Sequence, residues 1–167
     1  FSLAESTLEY LGYPEEHGRL DTAPHPFSSG TQFDARVTTR FDNEDPVGSI
    51  GSVIHEFGHA TYTLGLPREQ YGTPLGQNRG LTVHESQSRL WENHVGRSAS
   101  FLSSYVDLVN DDLGTDLSGR ELYEAANQVY PDNLIRVEAD ELTYHMHIIL
   151  RFEIERDLLS GDLDVAD

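Results

Sequence analysis

The chain contains no cysteine and no lysine, and it has no long run of apolar residues. Without cysteine, it can form neither a disulfide nor a zinc site built on thiolates. Its apolar runs fall well short of the roughly 18 residues that identify a membrane-spanning helix. The first residues also lack the basic segment and the apolar core of a secretory signal peptide, so we expect a cytoplasmic protein.

Basic residues are scarce: all 11 are arginine, against 29 acidic residues, and the formal net charge is -18. A field this negative repels nucleic acid and anionic lipid, so both are excluded as partners. A lysine-free acidic surface resembles the proteins of extreme halophiles, where concentrated salt screens the repulsion between carboxylates. We favour this interpretation over a surface that is acidic only for solubility.

The length of 167 residues is enough for one domain with a core of useful size. The chain begins at Phe1 rather than at a methionine, and it ends in a short acidic segment without a terminal signal. We therefore expect residues 1–167 to form a single domain that is a segment of a longer protein.

Apolar residues recur at helical spacing over most of the chain, and in one short stretch they alternate with polar residues. The alternation predicts a strand at 31–41. Glycine and proline predict loops at 13–30 and 66–80. Helices are predicted at 2–11, 46–64, 81–95, 101–113, 118–130 and 132–160. The expected fold is mainly α, with a small β element near 31–41.

One predicted helix carries the pattern His-Glu-x-x-His. Asp45 is a good N-cap and Pro46 suits the first helical position, which supports a helix there. Residues four apart share a helix face, so the imidazoles of His55 and His59 can converge on one metal ion. Glu56 lies about 100° further round, within reach of a water on that metal. A polar helix face with two histidines is the alternative, and the helix signals disfavour it.

A catalytic zinc needs a third protein ligand, and the next predicted helix offers two carboxylates. Glu85 would complete the set of two histidines and one glutamate found in thermolysin-type sites. Glu92 lies roughly on the same face but about 10 Å further along. Glu85 is preferred because of the position of its neighbours. His84 points about 100° from Glu85. The residues alone leave open whether His84 faces a substrate or is an ordinary packed or solvent-exposed histidine.

Five segments of the sequence resemble, in the same order, the motifs of the M32 metallocarboxypeptidases, the carboxypeptidase Taq family. They are His25-Pro26-Phe27, Asp34-Ala35-Arg36-Val37-Thr38, His55-Glu56-Phe57-Gly58-His59, His84-Glu85-Ser86-Gln87 and Ile135-Arg136-Val137-Glu138-Ala139-Asp140. Five motifs at compatible spacing are more specific than the zinc motif alone. Members of that family are much longer. Neither their largely helical N-terminal half nor their last motif, of the form G-x-x-Q-D-x-H-W, occurs here.

The resemblance implies a zincin-like, zinc-dependent exopeptidase that removes single residues from peptide C-termini with broad specificity. Carried over by motif, His55, His59 and Glu85 would bind Zn²⁺ or another divalent transition metal such as Co²⁺. Glu56 would be the general base, which takes a proton from the attacking water and passes it to the leaving amine. The family also suggests a homodimer that acts on peptides.

By the same resemblance, Arg136 would read the terminal carboxylate of the substrate, and His25 and His84 would line the site. From the residues alone, an ordinary surface salt bridge of Arg136 is slightly favoured. On the predicted last helix, Asp140 lies one turn beyond Arg136 and could orient it as an i,i+4 pair. The motifs leave open the supporting roles of a further set, which comprises Asp34, Arg36 and Asp140.

Two other functional classes stay open at this point. One is another thermolysin-like peptidase, either an endopeptidase or an aminopeptidase. The second is a truncated helical module that binds zinc without catalysing hydrolysis. A peptidase that reads a free C-terminal carboxylate would discriminate against an amidated peptide, whereas an aminopeptidase needs an acidic group that reads the substrate amine.

Overall fold

The computed structural model describes residues 1–131, 133–136 and 139–166. These form two compact units, Phe1–Ala126 and Asn127–Asp167. The first unit contains the helices α1 (Ser2–Tyr10), α2 (Pro46–Leu64), α3 (Leu81–Arg89), α4 (Ala99–Leu113) and α5 (Gly119–Ala126), and a π-helix (Leu90–Gly96) continues α3. The second unit contains α6 (Glu141–Ser160). The prediction of a mainly helical fold with a small β element is confirmed.

The β element is a three-stranded sheet of β1 (Gly18–Thr22), β2 (Phe27–Gly30) and β3 (Ala35–Thr39). β3 is the central strand, parallel to β1 and antiparallel to β2. The strand predicted at 31–41 is therefore confirmed in its middle. The prediction of a loop at 13–30 is wrong, because that segment contains two strands. Both are short and polar, and they become strands only by pairing with β3.

The first unit is organised around α2. The Asp45 side chain caps this helix by accepting a hydrogen bond from the backbone of Gly48 at 2.8 Å, and Pro46 is its first residue, as predicted. Two apolar clusters meet on α2. One is shared with α1, α4 and α5 and contains Leu3, Ile50, Ile54, Leu102, Tyr105, Val106, Val109, Leu122 and Ala126. The other is shared with α1 and β3 and contains Ala4, Leu8, Tyr13, Ala35, Val37, Val53, Phe57 and Ala60.

The helix α3 crosses α2 at a glycine. A Cβ atom built on Gly58 would lie 2.6 Å from the Cα atom of Ser88, a distance that real Cβ atoms do not reach. Glycine therefore permits the two backbones to approach closely at this point. The predicted helix at 81–95 is confirmed as far as Arg89, and from Leu90 it widens into the π-helix. The close approach sets α3 against the face of α2 that carries the two histidines.

The other helices of the first unit follow their predictions closely, except that α5 ends at Ala126 rather than near 130. The predicted capping box is present: the backbone amide of Glu121 donates to the Ser118 hydroxyl, and the backbone amide of Ser118 donates to the Glu121 carboxylate. Among the described residues, no helix is both long and apolar enough to cross a bilayer.

In the second unit, the last helix begins later than predicted. Asp140 is its N-cap and accepts hydrogen bonds at 2.9 Å from the backbone amides of Thr143 and Tyr130. Arg136 lies before the helix, so the predicted i,i+4 pair of Arg136 with Asp140 is wrong. The Arg136 guanidinium instead donates to the Tyr144 hydroxyl at 2.5 Å. Of the segment predicted to be helical from 132, residues 132, 137 and 138 lie outside the described part of the chain.

Candidate metal centre

Three side chains of the first unit converge on one point. The Nε2 atoms of His55 and His59 each lie 3.6 Å from a different oxygen of the Glu85 carboxylate. The three ligand atoms all lie within 4.8 Å of one another. Metal–ligand bonds of about 2.1 Å at tetrahedral angles would separate two ligand atoms by about 3.4 Å. The arrangement therefore fits a single small cation between two imidazoles and one carboxylate.

The other nitrogen of each imidazole has a partner of its own. The Nδ1 atom of His55 lies 2.7 Å from an oxygen of Glu92, and the Nδ1 atom of His59 lies 2.5 Å from Nδ1 of His84. In each ring, Nδ1 therefore contacts a neighbouring side chain and Nε2 points towards Glu85. Glu92, the alternative third ligand in the sequence, is the hydrogen-bond partner of His55 on the opposite side of the ring.

Ionisation in the centre is shaped chiefly by burial. The pKa of His59 is lowered to about 4 by burial and by the neighbouring His55, although Glu85 opposes this. Burial also lowers the pKa of His84. Burial acts to raise the pKa of Glu92, but the hydrogen bond with His55 and the charge of Arg89 hold it below its usual value. At neutral pH, His59 is thus a neutral imidazole, the form that binds a metal.

Glu56 lies beside the three converging side chains and is buried, with 5% of its surface exposed. Its Oε2 atom has no hydrogen-bond partner within the described part of the chain. Burial raises the pKa of the Glu56 carboxyl to about 7, His55 acts against this, and Glu85 and Glu92 add to it. A carboxyl group with its pKa near neutrality can both accept and donate a proton.

A cavity of about 590 Å³ lies next to His84. Thr63 lies on the same wall, and its hydroxyl is 3.4 Å from Nε2 of His84. The edge strand β2 contributes Ser28, Ser29 and Gly30, and the segment after α2 contributes Tyr71 and Asn78. The cavity thus joins the sheet edge to the helix α3 that carries Glu85.

The remaining predicted site residues lie elsewhere in the two units. His25 is exposed in the connection between β1 and β2. Arg36 and Asp34 form an exposed ion pair at 3.0 Å. Arg136 and Asp140 lie in the second unit, where Asp140 caps α6 and Arg136 contacts Tyr144. The structure therefore brings the two histidines, Glu56, Glu85 and His84 together, and the roles of all the predicted site residues stay predictions.

Sequence reasoning missed the contacts behind the two imidazoles. It considered Glu92 only as a competing metal ligand, and His84 only as a residue that faces a substrate or as a packed or solvent-exposed histidine. The available signal was the spacing of Glu85 and Glu92, nearly two helical turns apart and hence on one face. That spacing does not tell which nitrogen of His55 each carboxylate meets.

Comparison with known proteins gives one family for the whole chain. The family described as carboxypeptidase Taq (M32) metallopeptidase matches residues 1–167. Thermostable carboxypeptidase 1 of Thermus thermophilus is 44% identical over 163 residues, 96% of this chain and 32% of its own length. Carboxypeptidase 1 of Bacillus subtilis is 40% identical over 164 residues, again 96% of this chain and 32% of its own.

Solved structures give the same result. The crystal structure of an M32 carboxypeptidase from Deinococcus radiodurans has a TM-score of 0.91 and 43% identity, over 99% of this chain and 34% of that one. A carboxypeptidase structure from Pyrococcus furiosus has a TM-score of 0.93 and 36% identity, with the same coverage. The chain spans about a third of the length of the curated relatives it matches. On the match over its whole length, the chain belongs to the carboxypeptidase Taq (M32) metallopeptidase family.

Proposed function

We propose that this chain supplies the metal-binding centre of a zinc-dependent carboxypeptidase, which releases single residues from the C-termini of peptides with broad specificity. One observation carries the proposal: two imidazoles and a carboxylate converge within 4.8 Å, beside a buried glutamate whose Oε2 atom has no partner among the described residues. The relatives named as carboxypeptidases support this choice of reaction.

In this proposal, His55, His59 and Glu85 hold the cation, with Zn²⁺ preferred and Co²⁺ as another candidate. Their donor set suits zinc, because two neutral imidazoles and one carboxylate are the ligands of thermolysin-type catalytic sites. The chemistry that these residues would gain from a bound cation is that of a Lewis acid, which would polarise the scissile carbonyl and lower the pKa of water to about 7. The Glu85 side chain is 54% exposed, which leaves the centre accessible from solvent.

Glu56 is assigned as the general base. As an ionised carboxylate, it accepts a proton from the water that attacks the scissile carbonyl, and it then donates that proton to the leaving amine. The raised pKa of Glu56, about 7, suits both transfers near neutral pH. Burial of the side chain places this proton transfer where bulk water competes little.

Arg136 is assigned as the residue that reads the free carboxylate of the substrate, since a guanidinium can pair with it through two parallel hydrogen bonds. Its hydrogen bond to Tyr144 and its position over the Tyr144 ring, 5.5 Å from the ring centroid, restrict its orientation. His25 and His84 are assigned to the walls of the site. Supporting roles are proposed for Asp34, Arg36 and Asp140.

Several further expectations stay predictions from the sequence. They are a homodimer, a cytoplasmic location and a halophilic source. The exclusion of nucleic acid and membranes as partners also rests on the net charge alone.

The test uses Glu56→Gln with a matched pair of peptides, one with a free C-terminus and one with a C-terminal amide. We expect the variant to keep zinc and to lose about 10²- to 10⁴-fold in kcat/KM, because a general base contributes that much. Glu124→Gln is the control, since Glu124 is a glutamate of the same unit that forms an exposed ion pair with Arg120.

Activity of Glu56→Gln close to that of the control would contradict the assigned base. The unmodified protein should cleave the free acid and leave the amide. Equal cleavage of both peptides would instead favour an endopeptidase or an aminopeptidase. Zinc binding without hydrolysis of either peptide, measured on this chain and on a longer form, would favour a non-catalytic module.

A further inference from the structure

The carboxylate of Glu92 meets His55 on the side away from Glu85. Its Oε2 atom lies 2.7 Å from Nδ1 of His55, while Glu85 lies 3.6 Å from Nε2 of the same ring. The two carboxylates therefore contact opposite nitrogens of one imidazole. Glu92 is also the better enclosed, with 13% of its side chain exposed against 54% for Glu85.

The local helix geometry allows one element to supply both carboxylates. In a regular α-helix, Glu92 would lie nearly two turns beyond Glu85, about 10 Å further along the axis. The helix widens at Leu90 into the π-helix Leu90–Gly96, and Glu92 lies inside it. Single π-helical turns are rare and occur frequently at functional sites. The irregularity thus coincides with the residue that contacts His55.

Two arginines offset the buried charge of Glu92. Arg89 donates to Oε2 of Glu92 at 2.9 Å, and a terminal nitrogen of Arg97 lies 4.0 Å from Oε1. An ionised carboxylate in this position can therefore remain charged despite its burial. Arg97 also donates to the backbone carbonyl of Ala126, which connects the network to the end of α5. The Glu92 carboxylate is therefore held at Oε2 by His55 and Arg89, and Arg97 lies near Oε1.

A charged acceptor at Nδ1 controls which nitrogen of His55 carries the proton. With the proton on Nδ1 and donated to Glu92, the lone pair on Nε2 points towards Glu85 and the common ligand point. Outer carboxylates of this kind fix the orientation of a metal-binding histidine and raise its basicity, and their loss typically costs about 10- to 100-fold in metal affinity.

We propose that Glu92 is the positioning residue of the metal centre: held by Arg89 inside the π-helix, it fixes the proton of His55 on Nδ1 and strengthens Nε2 as a ligand. This assignment rests on the proposed metal-binding function. Glu92 itself would not bind the cation, because it meets His55 at Nδ1, on the side of the ring away from Glu85. A purely structural role would be confined to the ion pairs with Arg89 and Arg97, and it would leave the histidine tautomer and the zinc affinity unchanged.

The experiment compares Glu92→Gln and Glu92→Ala with the unmodified chain and with Glu124→Gln as the control. Zinc affinity is measured by competition with a chromophoric chelator. The tautomer of His55 is read from ring nitrogen chemical shifts in the metal-free protein. Thermal unfolding of the metal-free protein shows whether each variant is folded.

We expect Glu92→Gln to keep the Nδ1 proton, because its amide oxygen can still accept, and to bind zinc about tenfold more weakly for lack of the charge. Glu92→Ala should lose the Nδ1 tautomer and bind zinc about 100-fold more weakly. Folded Glu92 variants that bind zinc as tightly as Glu124→Gln and keep the tautomer would overturn the assignment.

The metal-binding function and the positioning role of Glu92 can be overturned separately. If the unmodified chain does not bind zinc, the proposed function fails, and the tautomer of His55 in the metal-free protein still decides whether Glu92 positions the ring. If the unmodified chain binds zinc and the Glu92 variants bind it equally well, only the positioning role is overturned.

Discussion

His55 and His59 lie one turn apart on α2 and present Nε2 to the same carboxylate, but their partners at Nδ1 differ. His55 faces the glutamate Glu92, which is enclosed and paired with Arg89. His59 faces His84, another imidazole. In the first case the partner carries a negative charge, and in the second it is neutral at pH 7. Charged hydrogen bonds are roughly twice as strong as neutral ones. The two imidazoles of the candidate metal centre are therefore held with unequal strength.

The difference between His55 and His59 is not visible in the sequence motif that contains them. The two histidines are equivalent in the His-Glu-x-x-His pattern, and they become different only through α3 and the π-helix. His84 and Glu92 lie on either side of Glu85 along the chain, so one continuous helical segment supplies the carboxylate that faces both Nε2 atoms and the two partners at Nδ1.

The largest loss of zinc affinity is expected from a substitution of Glu85, whose carboxylate faces both histidines. Glu85→Gln should weaken zinc binding by more than about 100-fold, because it removes a charged ligand that faces both Nε2 atoms, and even outer partners reach that magnitude. The control is Glu124→Gln, whose parent side chain is similarly exposed, at 58% against 54% for Glu85. Zinc affinity by chelator competition is the measurement. A loss no greater than that of Glu92→Ala would mean that Glu85 is not a ligand.

A smaller loss of zinc affinity is expected from a substitution of His84, which contacts Nδ1 of His59. His84→Phe keeps the ring volume but removes the nitrogen that contacts Nδ1 of His59. Because this contact is neutral, we expect zinc affinity to fall by up to about tenfold, less than for Glu92→Ala. The same chelator competition compares the two variants directly. If His84→Phe proved the more damaging, the inequality between the two histidines would be reversed.

The smallest effect concerns the pH dependence of stability in the metal-free protein. The pKa of His59 falls from 6.5 to about 4, so the unfolded chain binds the extra proton and stability is lost as pH falls through this range. The pKa of Glu56 rises from 4.5 to about 7, so here the folded chain binds the extra proton and stability is lost as pH rises. Between pH 4.5 and 6.5, the two contributions oppose each other.

Glu56→Gln removes one of these opposing contributions. The free energy of unfolding of the metal-free variant should then rise with pH between 4.5 and 6.5 more steeply than that of the unmodified chain. One proton per molecule sets the difference in slope at no more than about 1.4 kcal/mol per pH unit. Urea unfolding at a series of pH values measures it. Parallel pH profiles of the two proteins would contradict the opposing shifts.

Local sequence signals were enough for the helix at the centre of the fold. Asp45 and Pro46 mark the start of α2, and the four-residue spacing of His55 and His59 places both rings on one face. These are properties of neighbouring residues, and they do not depend on the rest of the chain. The choice of Glu85 over Glu92 as the third metal ligand stays a prediction, and the structure places Glu85 near both Nε2 atoms and Glu92 at Nδ1 of His55.

Local signals failed where distant segments decide the outcome. β1 and β2 have too few apolar residues to show the alternation that identifies a strand. Both pair with β3, which does show this alternation in the sequence. At the last helix, apolar residues at helical spacing on both sides predict an interior position for Asp140. Its carboxylate instead accepts a hydrogen bond from the backbone amide of Thr143, which makes it the N-cap. It also accepts one from the backbone amide of Tyr130, which lies outside the helix. An N-cap and an interior helix position differ in their hydrogen bonds, and the spacing of apolar residues does not predict those bonds.

By itself, the sequence determined the positions of α2 and α3, the two histidines on one helix face and the presence of a carboxylate on the next helix. Only the tertiary structure decided which nitrogen of His55 meets Glu85 and which meets Glu92. The physical reason is that helical periodicity assigns a residue to a face, whereas the meeting of two side chains depends on how closely two backbones pack. Here that distance is set by Gly58 against Ser88 and by the widening of the helix at Leu90.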